Sequence, residues 1–413
     1  MKLIVIQSAY SYKTLVERNL LDFATSKGLE GFFDTVYTVH PAATVEFKIN
    51  SKERYGKIST YRHSQSQIFI EARIGRFWFL RKLPFLNFFL SQISLILYLI
   101  KLLWGEKNLI IRAEDPRFNG VLGFLLTRFK NLPFIVGTWG NPDNIRKLTG
   151  KPIQPRVFKY VNLEVFCEKF LMKRADYVLV QNEDNFKYAI SYGASIEKVK
   201  FFRLGNAIYP GHFVQPECRV ISIKDQAKIN HSGYKVCTIS RLEKLKIVDH
   251  AIKSFSEMKS LSDLQLYIFG DGSEKENLLK LTIQLGIENR VHFLGNINQQ
   301  LLAGMLPQMD LVLSPSMGRA LTEVALAGLP IVAYDIDCHP EIVKTGDTGI
   351  LVNYLDFHAM AQAGDYMCNN QTDAKQMGQA AREWALNLMD PEKLIREQRM
   401  VFCEILKSDL NND

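Results

Sequence analysis

Two basic residues follow an apolar run in the second half of the chain, where they could bind a phosphate group. The run YKVCTIS ends at Ser240, and Arg241 and Lys246 follow it in the stretch RLEKLK. Arginine binds phosphate oxygens through a planar fork, and lysine binds them as a point charge. A pair of this kind between a strand and a helix could hold a diphosphate, which the N-terminus of the helix would also favour. The alternative is that both residues are solvated cations of a surface loop.

A glycine-containing turn follows the next apolar run. Gly270 and Gly272 flank Asp271 in the sequence FGDGSEKE. Glycine permits close approach of the backbone to a ligand, whereas Ser273 could be only a helix N-cap. The turn lacks the GxGxxG fingerprint of dinucleotide-binding proteins, so on its own it is weak evidence for a nucleotide site.

A third loop combines a glycine, an arginine and a carboxylate. Gly318 and Arg319 follow the run DLVLS, a helix rich in small residues begins near Ala320, and Glu323 lies in its first turn. The loop amides and Arg319 suit phosphate oxygens, and the carboxylate could accept hydrogen bonds from a ribose diol. The same carboxylate could instead only stabilise the helix N-terminus, by about 0.3–1 kcal/mol. Together the three loops predict a nucleotide diphosphate site.

Parallel strands are needed to bring these loops to one place, and the chain contains two series of candidate strands. Apolar runs alternate with helical patterns from KLIVIQS to VKFFRLG and again from YKVCTIS to GILVN. This alternation predicts parallel sheets built from βαβ units. We therefore predict an α/β protein with two Rossmann-like domains facing a central cleft, in which ligands bind at the carboxyl ends of the strands.

The break between the two series gives the predicted domain boundaries. Residues 206–232 are aperiodic and read as a linker. They separate a first domain, 1–205, from a second domain, 233–389. Residues 390–413 form an amphipathic pattern that predicts a C-terminal helix packing back on the first domain.

The composition excludes several classes of protein. The 413 residues are 47% hydrophobic and 23% charged, which argues against a disordered chain, a collagen-like chain or a disulfide-stapled miniprotein. The formal net charge of +8 favours anionic partners. It is modest for nucleic-acid binding, and no motif for that function is present. Scattered cysteines and the absence of a signal-like N-terminus predict a cytoplasmic location.

Residues 73–104 combine cations with a long apolar stretch. The segment opens with four cations, Arg73, Arg76, Arg81 and Lys82. The stretch that follows is about long enough to span a bilayer, but polar side chains interrupt it. We predict a helix with a membrane-touching face, which would hold the protein on the inner face of the cytoplasmic membrane. A wholly structural core helix and a true membrane span are the alternatives.

The second half of the chain resembles the donor domain of retaining GT-B glycosyltransferases of the group 1 family (family 4-like). The resemblance covers residues 233–352 and rests on five motifs of that family. In chain order, the matching residues are Arg241, Leu242 and Lys246, then Gly270 and Gly272, then Val291, Phe293 and Gly295, then Glu323, Ala325, Ala327, Gly328 and Pro330, and finally Glu341, Ile342, Val343, Gly346 and Gly349.

The resemblance implies a glycosyltransferase that moves a sugar with retention from a UDP- or GDP-linked donor, with no metal or other cofactor. Residues 233–389 would bind the donor and residues 1–205 the acceptor, a saccharide or lipid-linked saccharide of surface polysaccharide or glycoconjugate synthesis. Arg241 and Lys246 would be catalytic, because they would stabilise the leaving nucleotide. The implied donor-binding residues are Gly270, Asp271, Gly272, Leu294, Gly318, Arg319, Ala320, Leu321, Thr322 and Glu323.

The sequence departs from the family pattern at several positions. Pro315 stands where the family has a second glutamate, and Ile247 stands where a glycine commonly follows the lysine. Trp139 stands near the place of a histidine that many members have, so no catalytic base is named. The acceptor-side candidates are Glu114, Asp115, Trp139 and Asp143, with helix capping or loop hydrogen bonds as the alternative for the carboxylates. A GT-B nucleotide-sugar epimerase and a non-catalytic nucleotide-sugar-binding subunit remain alternative functions.

Overall fold

The computed structural model describes residues 1–17, 20–43, 51–106, 108–203, 208–316, 318 and 320–410. The chain forms two compact units. Unit 1 comprises Met1–Ala207 and Glu392–Asp413, and unit 2 comprises Ile208–Pro391. Each unit carries its own largely parallel sheet covered by helices. The prediction of an α/β protein with two Rossmann-like domains is therefore confirmed.

The sheet of unit 1 has eight strands within the described residues, in the order β3-β4-β2-β1-β5-β6-β7-β8. Their bounds are β1 Lys2–Ile6, β2 Thr35–His40, β3 Ser59–Arg62, β4 Gln67–Glu71, β5 Leu109–Ala113, β6 Ile135–Thr138, β7 Tyr177–Val180 and β8 Val199–Phe201. All pairs are parallel except β3 with β4, which is antiparallel. The strand β3 was not predicted because its sequence, STYR, is short and polar and none of its residues is fully buried.

Helices cover both faces of this sheet. The helices that precede unit 2 in the chain are α1 Tyr12–Glu17, α2 Leu21–Thr25, α3 Pro84–Leu102, α4 Phe118–Lys130, α5 Pro142–Thr149, α6 Val161–Arg174 and α7 Glu183–Ser191. On one face, Leu95 of α3, Leu126 of α4 and Leu171 of α6 are buried in two core clusters that also contain strand residues. Along each strand, successive side chains point to opposite faces of the sheet. Ile110 of β5 and Ile135 of β6 therefore belong to a core cluster on the other face.

The sheet of unit 2 is entirely parallel and has six strands in the described part, in the order β11-β10-β9-β12-β13-β14. Its strands are β9 Tyr234–Ile239, β10 Leu264–Phe269, β11 Val291–Gly295, β12 Leu311–Ser314, β13 Ile331–Tyr334 and β14 Ile350–Val352. Its helices are α8 Ile223–Gln226, α9 Val248–Glu257, α10 Lys275–Gln284, α11 Gln299–Met305, α12 Ala320–Leu326, α13 His339–Ile342, α14 Phe357–Asn369 and α15 Gln371–Leu388. Each of the six strands falls on an apolar run of the second predicted series.

The stretch interpreted as a linker, 206–232, is in large part built into unit 2. Residues 206 and 207 lie outside the described residues, and from Ile208 onward the chain belongs to this unit. Ile208 and Ile229 are buried in its core. The guanidinium of Arg219 donates a 2.7 Å hydrogen bond to the carbonyl oxygen of Leu326 at the end of α12. These isolated anchors have no periodicity, which is why the sequence suggested a linker.

The last helix, α16 Pro391–Leu410, returns to the first unit. Ile395, Phe402 and Ile405 are buried with Leu3 and Val5 of β1 on the face of the sheet opposite α3, α4 and α6. The C-terminal segment predicted to pack back on the first domain therefore supplies part of the core on that face of the sheet.

Candidate active site

The three loops predicted to bind a nucleotide lie side by side at the carboxyl edge of the unit 2 sheet. Backbone hydrogen bonds join the first two loops: Ser240 N donates to Phe269 O at 3.0 Å, and Leu242 N donates to Asp271 O at 3.0 Å. Gly270 N donates to Gly295 O at 2.9 Å and extends the contact to the end of β11. Parallel α/β sheets bind their ligands at this edge.

Arg241 presents its guanidinium to solvent at this edge. Its side chain is 63% exposed and forms a 2.8 Å ion pair with Glu243, two residues along the chain. An exposed ion pair contributes about 0–1 kcal/mol. Exchange of the Glu243 carboxylate for a phosphate therefore costs little. Sequence analysis missed this acidic neighbour, which competes directly with an anionic ligand.

Lys246 ends a short 3₁₀ turn, Lys244–Lys246, that follows the same strand. Burial lowers the pKa of Lys246, and the nearby positive charge of Arg241 lowers it further. A Cβ atom built on Gly318 would lie 3.6 Å from Lys246 Nζ, so the loop after β12 reaches the ammonium group. The structure thus brings together the residues predicted to bind phosphate, except Arg319, which lies outside the described residues.

Ile247 adopts a left-handed backbone conformation, with φ of 41° and ψ of 39°. A β-branched residue in this region is strained. Glycine commonly stands at this position in the family that the sequence resembles, and the backbone geometry supplies the physical reason. Here an isoleucine keeps the same backbone and packs its side chain against the core of unit 2.

The two glycines of the second loop permit a close approach, but the partner is the neighbouring loop. Gly270 has a φ of 145°, and a Cβ atom added there would lie 1.8 Å from the carbonyl oxygen of Ser240. A Cβ atom on Gly272 would lie 2.4 Å from the carbonyl oxygen of Leu242. The glycines therefore let the turn lie directly against the backbone that carries Arg241.

Asp271, between these glycines, is engaged within its own turn. Its carboxylate accepts a 2.8 Å hydrogen bond from the backbone N–H of Gly272 and forms a 3.4 Å ion pair with Lys275. These two contacts, the backbone one first, lower the pKa of Asp271. Through these contacts, Asp271 stabilises its own turn.

The remaining donor-side candidates sit on β11 and α12. Leu294 is half-buried near the end of β11. Leu321 and Thr322 are buried, which leaves little of their side chains available to a ligand, and Ala320 is half-buried. Glu323 is 8% exposed in the first turn of α12.

A pair of serines links two of these loops. Ser316 Oγ lies 3.2 Å from Ser240 Oγ and joins the loop after β12 to the end of β9. Pro315, at the position of the family's second glutamate, is buried and offers no carboxylate. Sequence analysis missed the serine link because single serines in two distant loops carry no pattern.

On the acceptor side, Glu114 and Trp139 belong to one largely buried cluster in unit 1. Arg112 Nη2 donates a 2.7 Å hydrogen bond to Glu114, and Lys27 Nζ lies 3.7 Å from the same carboxylate. Burial alone would raise the pKa of Glu114, but the two cations lower it, so the carboxylate is ionised. The Arg112 guanidinium lies 5.7 Å from the centre of the Trp139 ring. Sequence analysis named neither cation, although an arginine within the apolar run LIIRA was a usable signal.

Asp115 and Asp143 instead join a second buried network. Arg117 and Arg146 both donate to the fully buried Glu168, at 2.9 and 2.7 Å. Asp115 accepts from the backbone N–H of Arg117, and Asp143 accepts from the Arg146 guanidinium. Asp115 thus makes the loop hydrogen bond that the sequence left as the alternative, whereas Asp143 pairs with Arg146 within α5. An acceptor contact by either aspartate stays a prediction.

A metal site in the described part of the chain would require several ligating side chains close together. No group of three or more His, Cys, Asp and Glu side chains there is arranged to hold a metal ion. His339, near the site, is fully buried, and its Nδ1 lies 2.7 Å from the carbonyl oxygen of Tyr334.

The architecture is that of the GT-B fold. Anabaena HepE, solved in complex with UDP, aligns with 99% of this chain and 100% of its own at a TM-score of 0.70 and 18% identity. WaaG, a glycosyltransferase involved in lipopolysaccharide biosynthesis, aligns with 97% of this chain and 99% of its own at a TM-score of 0.63 and 12% identity. At these identities the similarity establishes the fold alone.

The family follows from the sequence of unit 2. Residues 220–384 match the model of the family described as glycosyl transferases group 1, to which this unit belongs. The resemblance inferred from the motifs is thereby confirmed.

Two curated relatives show the extent of the similarity. N-acetyl-alpha-D-glucosaminyl L-malate synthase of Bacillus anthracis is 29% identical over 46% of this chain and 50% of its own length. D-inositol 3-phosphate glycosyltransferase of Corynebacterium diphtheriae is 25% identical over 65% of each chain. The chain thus spans about half to two thirds of the length of these relatives.

Proposed function

We propose that the protein is a retaining glycosyltransferase that moves a sugar from a UDP- or GDP-linked donor to a saccharide or lipid-linked saccharide. The proposed role is in surface polysaccharide or glycoconjugate synthesis, at the inner face of the cytoplasmic membrane. The observation that carries the proposal is the pairing of Arg241 with Lys246 at the carboxyl edge of a group 1 domain.

The chemistry rests on stabilising the leaving nucleotide. When the bond between the sugar and the β-phosphate breaks, negative charge accumulates on the phosphate oxygens. The guanidinium of Arg241 supplies a bidentate donor, and Lys246 supplies a partly desolvated ammonium group. Cations held in place before the reaction stabilise such charge more effectively than mobile solvent does. Retention of configuration is taken from the family, and these two residues suffice for the proposed role without a metal.

Glu323 is the proposed partner of the donor ribose. It lies in the first turn of α12, which follows the Gly318 loop next to Lys246. A carboxylate there accepts hydrogen bonds from the two ribose hydroxyls. The backbone near Leu294, on the neighbouring loops, is proposed to contact the base, and Arg319 to contact the sugar or phosphates.

The activity is tested with UDP- and GDP-hexoses and a polyprenyl-diphosphate-linked saccharide as acceptor. Transfer should occur with wild type and should fall by at least about 100-fold with Arg241→Ala, the loss typical for one charge-stabilising donor. Proton NMR of the first product should show the donor's anomeric configuration. An inverted product would refute retention.

The same assay separates the alternative functions. Conversion of the nucleotide sugar without acceptor would indicate an epimerase. Saturable binding of a nucleotide sugar with no turnover on any acceptor would indicate a partner subunit without catalytic activity. Either result would replace the proposal of sugar transfer.

A further inference from the structure

The helix α3 exposes a stripe of large apolar side chains on the side that faces away from the sheet. Leu95 and Leu99 are buried in the core, whereas Phe85 and Phe89 are 86% and 61% exposed. The exposed stripe comprises Phe85, Leu86, Phe89, Ile93 and Leu97. Residues four apart lie on one side of a helix, so these side chains form a continuous apolar surface.

Two further helices extend this surface. The Phe88 and Phe118 rings, 5.3 Å apart, join α3 to α4, and the Phe124 and Phe170 rings, 5.8 Å apart, join α4 to α6. The outer sides of α4 and α6 expose Leu125, Phe129, Leu163, Phe166 and Phe170. We call the outer surface of α3, α4 and α6 the three-helix face. Contiguous apolar surface of this extent marks an interaction site.

The charges along this face have one sign. Segments 73–104, 118–130 and 147–174 contain only two acidic residues, Glu164 and Glu168, and both are fully buried. The exposed charged residues of these segments are Arg81, Lys82, Lys101, Arg128, Lys147, Lys151, Arg156, Lys159, Lys169, Lys173 and Arg174. The positive surplus of the chain is therefore concentrated in the segments that form or flank the three-helix face.

Two of these cations lie against aromatic side chains at ends of α3 and α6. Arg81 precedes α3 and lies 4.8 Å from the Trp78 ring, and Arg174 ends α6 and lies 3.8 Å from the Phe170 ring. Long basic side chains of this kind lay their stems on apolar surface and keep their charges in the polar layer. The arrangement is typical of a surface that rests in a membrane interface.

Helix α3 packs against unit 1 along its length. It is the one helix of the described residues with the length and composition of a membrane span, with a mean hydropathy of 1.7. Its polar residues Asn87, Ser91 and Gln92 are nevertheless buried in unit 1. Gln92 Nε2 donates a 2.9 Å hydrogen bond to the carbonyl oxygen of Pro41, which anchors the inner side of α3 to the domain.

We infer that the three-helix face docks unit 1 onto an anionic phospholipid bilayer. Two copies of a uniformly positive face repel each other, whereas an anionic leaflet complements it. Each lysine or arginine near such a leaflet strengthens binding by about fivefold. This inference goes beyond sugar transfer and extends the predicted membrane contact at 73–104 to α4 and α6.

Docking would place the candidate acceptor edge next to the lipid. The three helices precede β5, β6 or β7, so each runs from the carboxyl edge of the sheet to its amino edge. Glu114 and Trp139 follow β5 and β6 at the carboxyl edge, where the helices begin. This geometry suits an acceptor carried on a lipid.

The apolar part of the face is tested by flotation with vesicles of phosphatidylcholine and phosphatidylglycerol, without nucleotide. Phe85→Ser/Phe166→Ser should weaken binding by at least about tenfold, because burying one phenylalanine contributes roughly that factor or more. Val220→Ser/Ile223→Ser, at two positions 90% exposed in unit 2, is the matched control and should bind as wild type does. Phe129→Ser alone should also weaken binding, because α4 is part of the face.

The charged part is tested with the same vesicles and with pure phosphatidylcholine. Arg81→Glu/Lys82→Glu should lose at least about tenfold in binding to the anionic vesicles. Lys259→Glu/Lys280→Glu, which reverses two exposed cations of unit 2, is the matched control. Wild type should bind the neutral vesicles much more weakly.

Three results would overturn the inference. The first is unchanged vesicle binding by Phe85→Ser/Phe166→Ser with a native circular dichroism spectrum. The second is a loss with Phe85→Ser but none with Phe129→Ser or Phe166→Ser, which would confine the contact to α3. The third is a wild-type dimer, seen by light scattering, that the phenylalanine variant dissociates while no vesicle binding occurs. None of these readouts requires transferase activity, so a failure of membrane docking can be distinguished from a failure of sugar transfer.

Discussion

Replacing Gly270 by alanine should destabilise unit 2 strongly, because the turn it occupies lies against the neighbouring loop. The backbone φ of 145° disfavours any residue with a Cβ atom, at a cost of about 1–3 kcal/mol. The new Cβ atom would also lie 1.8 Å from the carbonyl oxygen of Ser240, so one of the two loops must move. Overpacking of this kind costs a further ~1–3 kcal/mol. The total of roughly 2–6 kcal/mol corresponds to a fall in Tm of roughly 5–20 °C.

A second glycine provides the matched control. Gly286 has a φ of 65°, and a Cβ atom added there would meet nothing within 4 Å. Gly286→Ala should therefore carry only the backbone cost, about 1–2 kcal/mol. Differential scanning calorimetry of wild type and both variants measures the difference. Equal melting temperatures for the two variants would refute the close contact between the turn and Ser240.

Three further changes test the charges of the two units. Glu243→Gln should tighten UDP or GDP binding by about two- to fivefold, because it frees Arg241 from its ion pair, and calorimetric titration should show this; weaker binding would contradict it. Burial lowers the pKa of Lys246, so this lysine should lose its proton, and the nucleotide its affinity, at a pH below the ~10.4 of an ordinary lysine. Lys246→Arg should keep its affinity at that pH, because arginine stays protonated. The same pH profile in both proteins would argue against a lysine contact to phosphate. Glu114→Gln should cost about 3 kcal/mol of stability in thermal denaturation, because it leaves two largely buried cations without their carboxylate, whereas the exposed Glu30→Gln should be nearly neutral. Because the pKa of Glu114 is lowered in the folded protein, the stability that this carboxylate contributes is present at neutral pH and is lost as the pH falls below the usual range of a glutamate. Equal melting temperatures of the two variants at neutral pH would contradict this contribution.

Most strands could be predicted because buried parallel strands leave continuous apolar runs in the sequence. The four-residue β3 left no such run, and the anchors Ile208, Arg219 and Ile229 are too isolated to form a pattern. Contacts between distant residues were equally invisible. Glu168 is bound by Arg117, which lies 51 residues away, and a single sequence does not reveal such a pair.

The candidate site was predictable where residue type alone determines the chemistry. Arg241 and Lys246 follow a strand whose position was clear, so their approximate place could be inferred. The glycines at 270 and 272 were identified for the right property, close approach of the backbone, but the sequence does not show that Ser240 and Leu242 lie against them. Their contact with the donor stays a prediction. Glu243 was overlooked because a carboxylate repels phosphate and so does not belong to the pattern that predicts a phosphate site.

The most direct test of the account is whether a nucleoside diphosphate binds through the basic pair. Thermal denaturation is measured with UDP, GDP, ADP and CMP for wild type, for Arg241→Ala/Lys246→Ala, and for the control Lys259→Ala/Lys280→Ala. At a ligand concentration of about 100 times Kd, binding adds about 2.7 kcal/mol, a rise of several degrees. We expect UDP or GDP to stabilise wild type and the control but not the Arg241/Lys246 variant. Equal stabilisation of all three proteins, or stabilisation by no nucleotide, would contradict a donor site at Arg241 and Lys246.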